Sequence, residues 1–86
     1  MVLVYIKLFY QHKDGRPMSV PEHYPQEIEI GGLDSPWDLS FAVAARAIAL
    51  IMESVGIDLT KLDPELIIRW EISKCTPIKL DGSTTH

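Results

Sequence analysis

Cysteine, basic charge and long hydrophobic runs are all scarce in this sequence of 86 residues. The single cysteine, Cys75, cannot form an intrachain disulfide, which excludes the disulfide-stabilised scaffolds. Eight Lys and Arg against twelve Asp and Glu give a net charge of -4, so the charge offers no basis for binding nucleic acid. A domain of this size buries only about 60–65% of its unfolded surface, and its core is correspondingly modest.

No apolar stretch is long enough to cross a membrane. The longest runs from 39 to 52 and is interrupted by Arg46, whereas a membrane-spanning helix needs about 20 apolar residues. The first residues lack the basic region of a secretory signal, Val2 does not fit N-myristoylation, and the last residues form no prenylation motif. We therefore expect a cytoplasmic protein that does not bind a membrane.

Three segments have the residue pattern of β-strands. Residues 2–11 are apolar on both faces, which predicts a central strand. Residues 26–30 and 66–74 alternate between apolar and polar, which predicts strands with one buried face. The residues expected to face the core are Val2, Val4, Ile6, Leu8, Ile28, Ile30, Leu66, Ile68, Trp70 and Ile72.

A helix is predicted from Pro36 to about Val55. Ser35 is suited to the N-cap, Asp38 completes a capping box with it, and Gly56 provides the C-terminal stop. The apolar arc of this helix is about twice the ~100° that a surface helix needs. One apolar face consists of Trp37, Phe41, Ala44, Ala45, Ile48, Ile51, Met52 and Val55, and the flank beside it of Leu39, Val43, Ala47 and Leu50.

The order of elements is therefore ββαβ, with a short fourth strand at 78–80 left open. We expect an α+β fold in which residues 1–80 form one small domain. Its antiparallel sheet has the order 2-1-3, and one long helix packs on one face. Residues 81–86 are expected to form a flexible C-terminal tail.

A long proline-containing loop, residues 12–25, connects the first two strands. Its prolines recur at Pro17, Pro21 and Pro25, which excludes an ordinary helix or a central strand. Loops of this length are commonly functional or disordered. The sequence leaves open whether this loop binds a partner or is only flexible.

Candidate catalytic and metal-binding residues are few. His12 and His23 lie at opposite ends of the loop, but their spacing matches no compact zinc site. Cys75 has no local signature of a nucleophile and is expected to be a partly buried structural thiol. We therefore assign no catalytic, cofactor-binding or metal-binding residue and no cofactor, and we expect a protein that is not an enzyme.

The distribution of apolar residues favours a protein-interaction domain. One helix cannot cover both faces of a sheet, and this helix has more apolar surface than the sheet can use. We expect a homodimer or a subunit of a larger assembly. A narrower hypothesis is a small regulator or inhibitor, of the size that phages often encode, that occludes a larger complex. The expected partner-binding residues are Leu3, Tyr5 and Phe9 on the sheet, Arg16, His23 and Tyr24 in the loop, and Leu39, Val43 and Leu50 on the helix.

Two alternatives remain open. A small enzyme or ligand-binding protein could use the loop, with His12, His23 and Cys75 as candidate residues. Tyr5 and Phe9 on the second face of the first strand could instead stack single-stranded bases. The acidic net charge makes nucleic acid the less favoured partner.

Overall fold

The computed structural model describes residues 1–77 and shows an α+β fold of three antiparallel strands with one helix packed on them. The sheet has the order β2-β1-β3, which confirms the predicted order. The fourth strand predicted at 78–80 and the tail predicted at 81–86 lie outside the described residues. No helix within residues 1–77 is long and apolar enough to cross a membrane. The strands are β1 (Val2–His12), β2 (Glu27–Leu33) and β3 (Leu66–Pro77), the helix is α1 (Phe41–Ser54), and two short 3-10 turns occupy Pro36–Asp38 and Leu59–Lys61.

The core lies between α1 and the sheet face formed by the even-numbered residues of β1. Val4 and Ile6 of β1 and Met52 of α1 are fully buried in one apolar cluster. Burial of a side chain of this size contributes about 1.5–3 kcal/mol. The central strand thus supplies more of the core than any other element, as its apolar sequence predicts. The other buried members are Leu8, Tyr10, Ile28, Ile30, Ala44, Ile48 and Ile57.

The α-helix begins later than the sequence predicts. In place of one helix over 36–55, the chain is extended at Leu39, with φ -79° and ψ 92°, and α1 starts after Ser40. Ser40 is the N-cap, and its hydroxyl oxygen accepts a hydrogen bond from the Val43 amide at 3.1 Å. The predicted C-terminal end is confirmed, because Gly56 has φ +86° and follows the last turn.

The predicted capping box is present, but it caps a shorter element. Ser35 and Asp38 exchange side-chain and backbone hydrogen bonds around a 3-10 turn of three residues. Because this turn is separate from α1, Trp37 does not lie on the apolar helix face, and it is 92% exposed. Its predicted place on the apolar face of the helix was therefore wrong.

Both edge strands are longer than predicted. β2 continues through Gly31 and Gly32, where the sequence suggests a break, and Leu33 pairs with Val2. β3 continues to Pro77. Each extension follows from pairing with the long central strand, a tertiary contact that the local sequence does not show.

A β-bulge lies in the second half of β3. Tyr5 pairs with Lys74 and Ile6 with Ile72, so Ser73 is the extra residue on β3. The bulge reverses the alternation of side chains beyond it. The strand continues beyond the bulge, so Cys75, which the sequence places after the strand, lies within β3.

The proline-containing loop is held along β1. The Met18 amide donates a hydrogen bond of 2.9 Å to the Tyr10 carbonyl. The Tyr10 hydroxyl donates to the Pro25 carbonyl, and its ring meets that of Tyr24 edge-on at 5.6 Å. Burial, with a smaller contribution from Tyr24, raises the pKa of Tyr10 to about 12. Backbone and side-chain contacts therefore join this loop to the core.

Candidate functional site

Helix α1 covers only part of the sheet face on which it packs. Its 14 residues give a helix about 21 Å long, and within the described residues it packs more closely on β2 than on β3. The inner face of β3 is therefore less covered than that of β1. Ile68 and Trp70 are half-buried, and Ile72 is 47% exposed.

This arrangement corrects the predicted core. Five of its ten members are buried, whereas the inward-facing residues of β3 are half-buried or exposed. The sequence alternation identifies which face of β3 is apolar, and that part was right. It does not show that the single helix lies towards the opposite edge of the sheet.

An apolar groove runs between α1 and β3, and we call it the α1–β3 groove. Its volume is about 230 Å³. Phe41, at the start of α1, is 78% exposed beside it. The small side chains of Ala45 and Ala49 in its wall leave room for a neighbouring backbone or side chain to approach. The lining residues are Phe41, Ala45, Ile48, Ala49, Met52, Leu59, Ile68 and Trp70, all of them apolar.

The chemistry of this groove suits binding rather than catalysis. None of its lining residues carries a charge, a nucleophile or a general acid or base. An apolar surface that stays open to water at the edge of a small core is typical of a protein-interaction site. The large aromatic rings of Phe41 and Trp70 are the kind of side chain that dominates binding energy at such sites.

The opposite face of the sheet is more polar, and charged side chains of β3 partly cover its aromatic rings. The Arg69 guanidinium lies over the Phe9 ring at 4.8 Å, and the Lys74 ammonium lies over the Tyr5 ring at 5.5 Å. Leu3, Tyr5 and Phe9, predicted to bind a partner, are half-buried on this face. The neighbouring charges are of both signs, so the face is suited to neither a strongly acidic nor a strongly basic partner.

The three loop residues predicted to bind a partner lie apart from that face. Arg16 pairs with Asp14 at 2.7 Å, and its hydrogen bonds lower the pKa of the Asp14 carboxyl. His23 packs edge-on against Tyr24 at 5.1 Å, and Tyr24 in turn packs against the core. Tyr24 thus has a structural role in the loop.

The three helix-flank residues predicted to bind a partner differ in exposure. Leu39 is half-buried against the core, whereas Val43 and Leu50 are exposed on α1. The nine predicted partner-binding residues therefore occupy separate surfaces, and none of them lines the α1–β3 groove.

The candidate residues for enzymatic or metal chemistry also lie apart. His12 ends β1 and pairs with Leu66, and His23 lies in the loop against Tyr24. Within residues 1–77, no three His, Cys, Asp or Glu side chains converge as metal ligands would. Cys75 is exposed, so its prediction as a partly buried thiol was wrong. It pairs with Val4 in the last part of β3, after the bulge.

The sequence does not identify the groove, because its pattern places Ile68 and Trp70 in the core and Phe41 on the apolar face of the helix. These three residues are apolar in a core-like pattern, and the position of the helix leaves them partly or largely exposed. One signal was present: the predicted order 2-1-3 already places β3 at an edge, where a single helix covers it least.

No protein-family model, no curated protein and no solved structure matches the chain.

Proposed function

We propose that this chain is a protein-interaction domain that binds its partner through the α1–β3 groove and the adjoining face of β3. The observation that carries the proposal is the open apolar groove, with Phe41 78% exposed beside it. Water contact with such a surface is unfavourable by about 25 cal/mol per Å² of apolar area, so a partner that covers it gains free energy.

The composition of the groove supports a protein partner. Its apolar lining has no charged group that a phosphate or a nucleic acid backbone could pair with. Its volume of about 230 Å³ is below the roughly 300–1,000 Å³ usual for small-molecule pockets. Aromatic and aliphatic side chains at the centre of a contact, with charged residues around it, are the usual composition of a protein interface.

The proposal includes a narrower function and a cellular location. A regulator or inhibitor that occludes a larger complex fits the small size and acidic charge of the chain. A cytoplasmic location fits the exposed thiol of Cys75, which a reducing compartment keeps unpaired.

The proposal is tested by Phe41→Ser, with Leu50→Ser as the matched control on the same helix. Both side chains are largely exposed, so we expect each variant to keep the free energy of unfolding within about 0.5 kcal/mol of the original. The measurements are native mass and affinity capture from source cells, followed by mass spectrometry.

We expect Phe41→Ser to reduce association, with itself or with captured proteins, and Leu50→Ser to leave it unchanged. The proposal is contradicted if the Phe41 variant retains both the native mass and the captured proteins of the original chain. Loss with Leu50→Ser alone would move the binding surface to the helix flank that the sequence predicts.

A further inference from the structure

The free edge of β3 points to the identity of the partner. We propose that the partner is a second copy of this chain, joined through antiparallel pairing of the two β3 strands. The inference rests on the proposed function, because it assigns an occupant to the same surface. β3 pairs with β1 alone among the described strands, so within residues 1–77 its other edge is unpaired, and it is regular over 66–72, before the bulge. A long apolar edge of this kind is a template for another strand.

The backbone hydrogen bonds of β1 show which groups line this edge. The Leu8 amide donates to the Gln26 carbonyl at 2.9 Å, so the backbone groups of Leu8 point towards β2. Leu8 is the partner of Trp70. In an antiparallel ladder such a pair exchanges no hydrogen bonds, so the N–H and C=O of Trp70 point out to the free edge.

The backbone groups of the residues two positions before and after Trp70 point in the same direction as those of Trp70. The Tyr10 carbonyl accepts from Met18 and so also faces away from β3, and Tyr10 is the partner of Ile68. Ile68, Trp70 and Ile72 therefore present their unpaired backbone groups along the open edge. Their side chains lie on the α1 side of the sheet, next to the groove.

One register of two β3 strands is complementary to itself. If a two-fold axis passes at Trp70, then Trp70 faces its own copy and Ile68 faces Ile72 of the partner subunit. On the opposite sheet face, Arg69 then meets Glu71 of the partner subunit, twice by symmetry. Each inward-facing pair can exchange two backbone hydrogen bonds, and opposite charges directly across an antiparallel pair are favourable.

The neighbouring symmetric registers lack this complementarity. An axis at Arg69 places two arginines opposite each other, and an axis at Glu71 places two glutamates opposite each other. Like charges directly across a strand pair are destabilising. The sequence Ile68-Arg69-Trp70-Glu71-Ile72 therefore selects one register for self-pairing.

The other open edge of the sheet is a poorer site for the same interaction. β2 has seven residues, compared with 12 in β3. Glu27 and Glu29 add charge of one sign to it, and Gly31 and Gly32 weaken strand pairing. Helix α1 also lies closer to β2, which leaves the apolar groove on the β3 side.

Pairing at β3 also covers the groove. Adjacent strands lie about 4.8 Å apart, so the α1–β3 grooves of the two copies become neighbours over the paired strands. Phe41 and Trp70 of each copy then line one shared apolar layer between two helices. A stable interface buries about 800 Å² on each partner. Strand pairing together with this apolar layer buries more surface than strand pairing alone.

Charge reversal on β3 tests this register in the full chain. Arg69→Glu or Glu71→Arg makes the two charge pairs between the subunits repulsive, and it also removes the Arg69–Glu71 ion pair of 3.0 Å within each strand. Arg69→Glu with Glu71→Arg restores both kinds of pair. Arg46→Glu and Glu29→Arg make the same charge changes at exposed positions away from β3. The measurement is sedimentation equilibrium at micromolar concentration, with circular dichroism as the check that each variant is folded.

We expect the original chain to sediment at twice 9.7 kDa, and each single reversal on β3 to weaken the dimer by about tenfold or more. The double variant and the two controls should dimerise like the original chain. These results together support the inference.

Three other results overturn the inference, and they separate it from the proposed function. A dimer that Phe41→Ser weakens but charge reversal on β3 does not would reject β3 pairing and keep the interaction through the groove. A monomer whose captured proteins are lost with Phe41→Ser would replace the second copy with another protein. A monomer without any Phe41-dependent binding would reject both.

Discussion

Tyr10 is the residue that most directly links the loop to the core. Its ring is buried at the end of β1, and its hydroxyl donates to the Pro25 carbonyl at the far end of the loop. Removal of one partner leaves a polar group unpaired, which costs more than the hydrogen bond itself contributes. The Tyr10 side chain thus adds to the backbone contacts that hold the proline-containing loop, whose conformation the sequence leaves undefined.

The raised pKa of Tyr10 makes the stability of the protein sensitive to alkaline pH. The phenol has an ordinary pKa of 10.0 in the unfolded chain and about 12 in the folded one. A group whose pKa is raised on folding stabilises the protein fully below the unfolded value, and the contribution is lost as pH rises through the folded value. We therefore expect unfolding to become easier between about pH 10 and 12.

Alkaline titration monitored by phenolate absorbance and circular dichroism measures this effect. Tyr10→Phe should lower stability at neutral pH and remove this part of the alkaline transition. Tyr5→Phe, on the other face of the same strand, is the matched control and should retain it. An unchanged alkaline transition in Tyr10→Phe would show that another group controls it.

At the scale of single elements, α1 depends on its own N-cap and not on the capping box before it. The Ser40 hydroxyl accepts from the Val43 amide, whereas Ser35 stabilises only the short 3-10 turn. We expect Ser40→Ala to lower the free energy of unfolding by about 1 kcal/mol. Chemical denaturation measures it, with Ser19→Ala in the exposed loop as the control.

A loss no larger than that of Ser19→Ala would contradict the assignment of Ser40 as the N-cap of α1. A larger loss with Ser35→Ala than with Ser40→Ala would favour the continuous helix from Pro36 that the sequence predicts. The two serines therefore distinguish the two descriptions of this helix.

The elements differ in how far the sequence alone determines them. Strands were predictable where side chains alternate or where the chain is apolar on both faces, as in β1. The start of α1 was not, because Ser35 and Ser40 are both suitable caps five residues apart, and the extended backbone at Leu39 decides between them. The ends of β2 and β3 depend on pairing with β1, which local sequence does not encode.

The groove was less predictable than the fold. The sequence shows that one helix has more apolar surface than it can bury, and from this an interaction surface was expected. It does not show where the helix lies across the sheet, so Trp70 and Ile72 were assigned to the core and Leu3, Tyr5 and Phe9 to the interface. Cross-strand contacts from Arg69 and Lys74 instead cover part of those outer rings.

At the scale of the whole molecule, residues 1–77 form an asymmetric sheet with one helix towards β2, and no described strand pairs with the outer edge of β3. Folding stability and association depend on the same residues of β3, because Ile68 and Trp70 both pack against the core and line the groove. A small chain with a modest core gains from completing that core against a second copy.

Amide hydrogen exchange at β3 is the most direct test of pairing between two β3 strands. The amides of Arg69 and Glu71 face β1 and should be protected at every protein concentration, so they serve as the internal control. The amides of Ile68, Trp70 and Ile72 face the open edge. We predict that they exchange rapidly in dilute solution and become protected as the concentration rises. Rapid exchange of these three amides at every concentration would contradict pairing through β3.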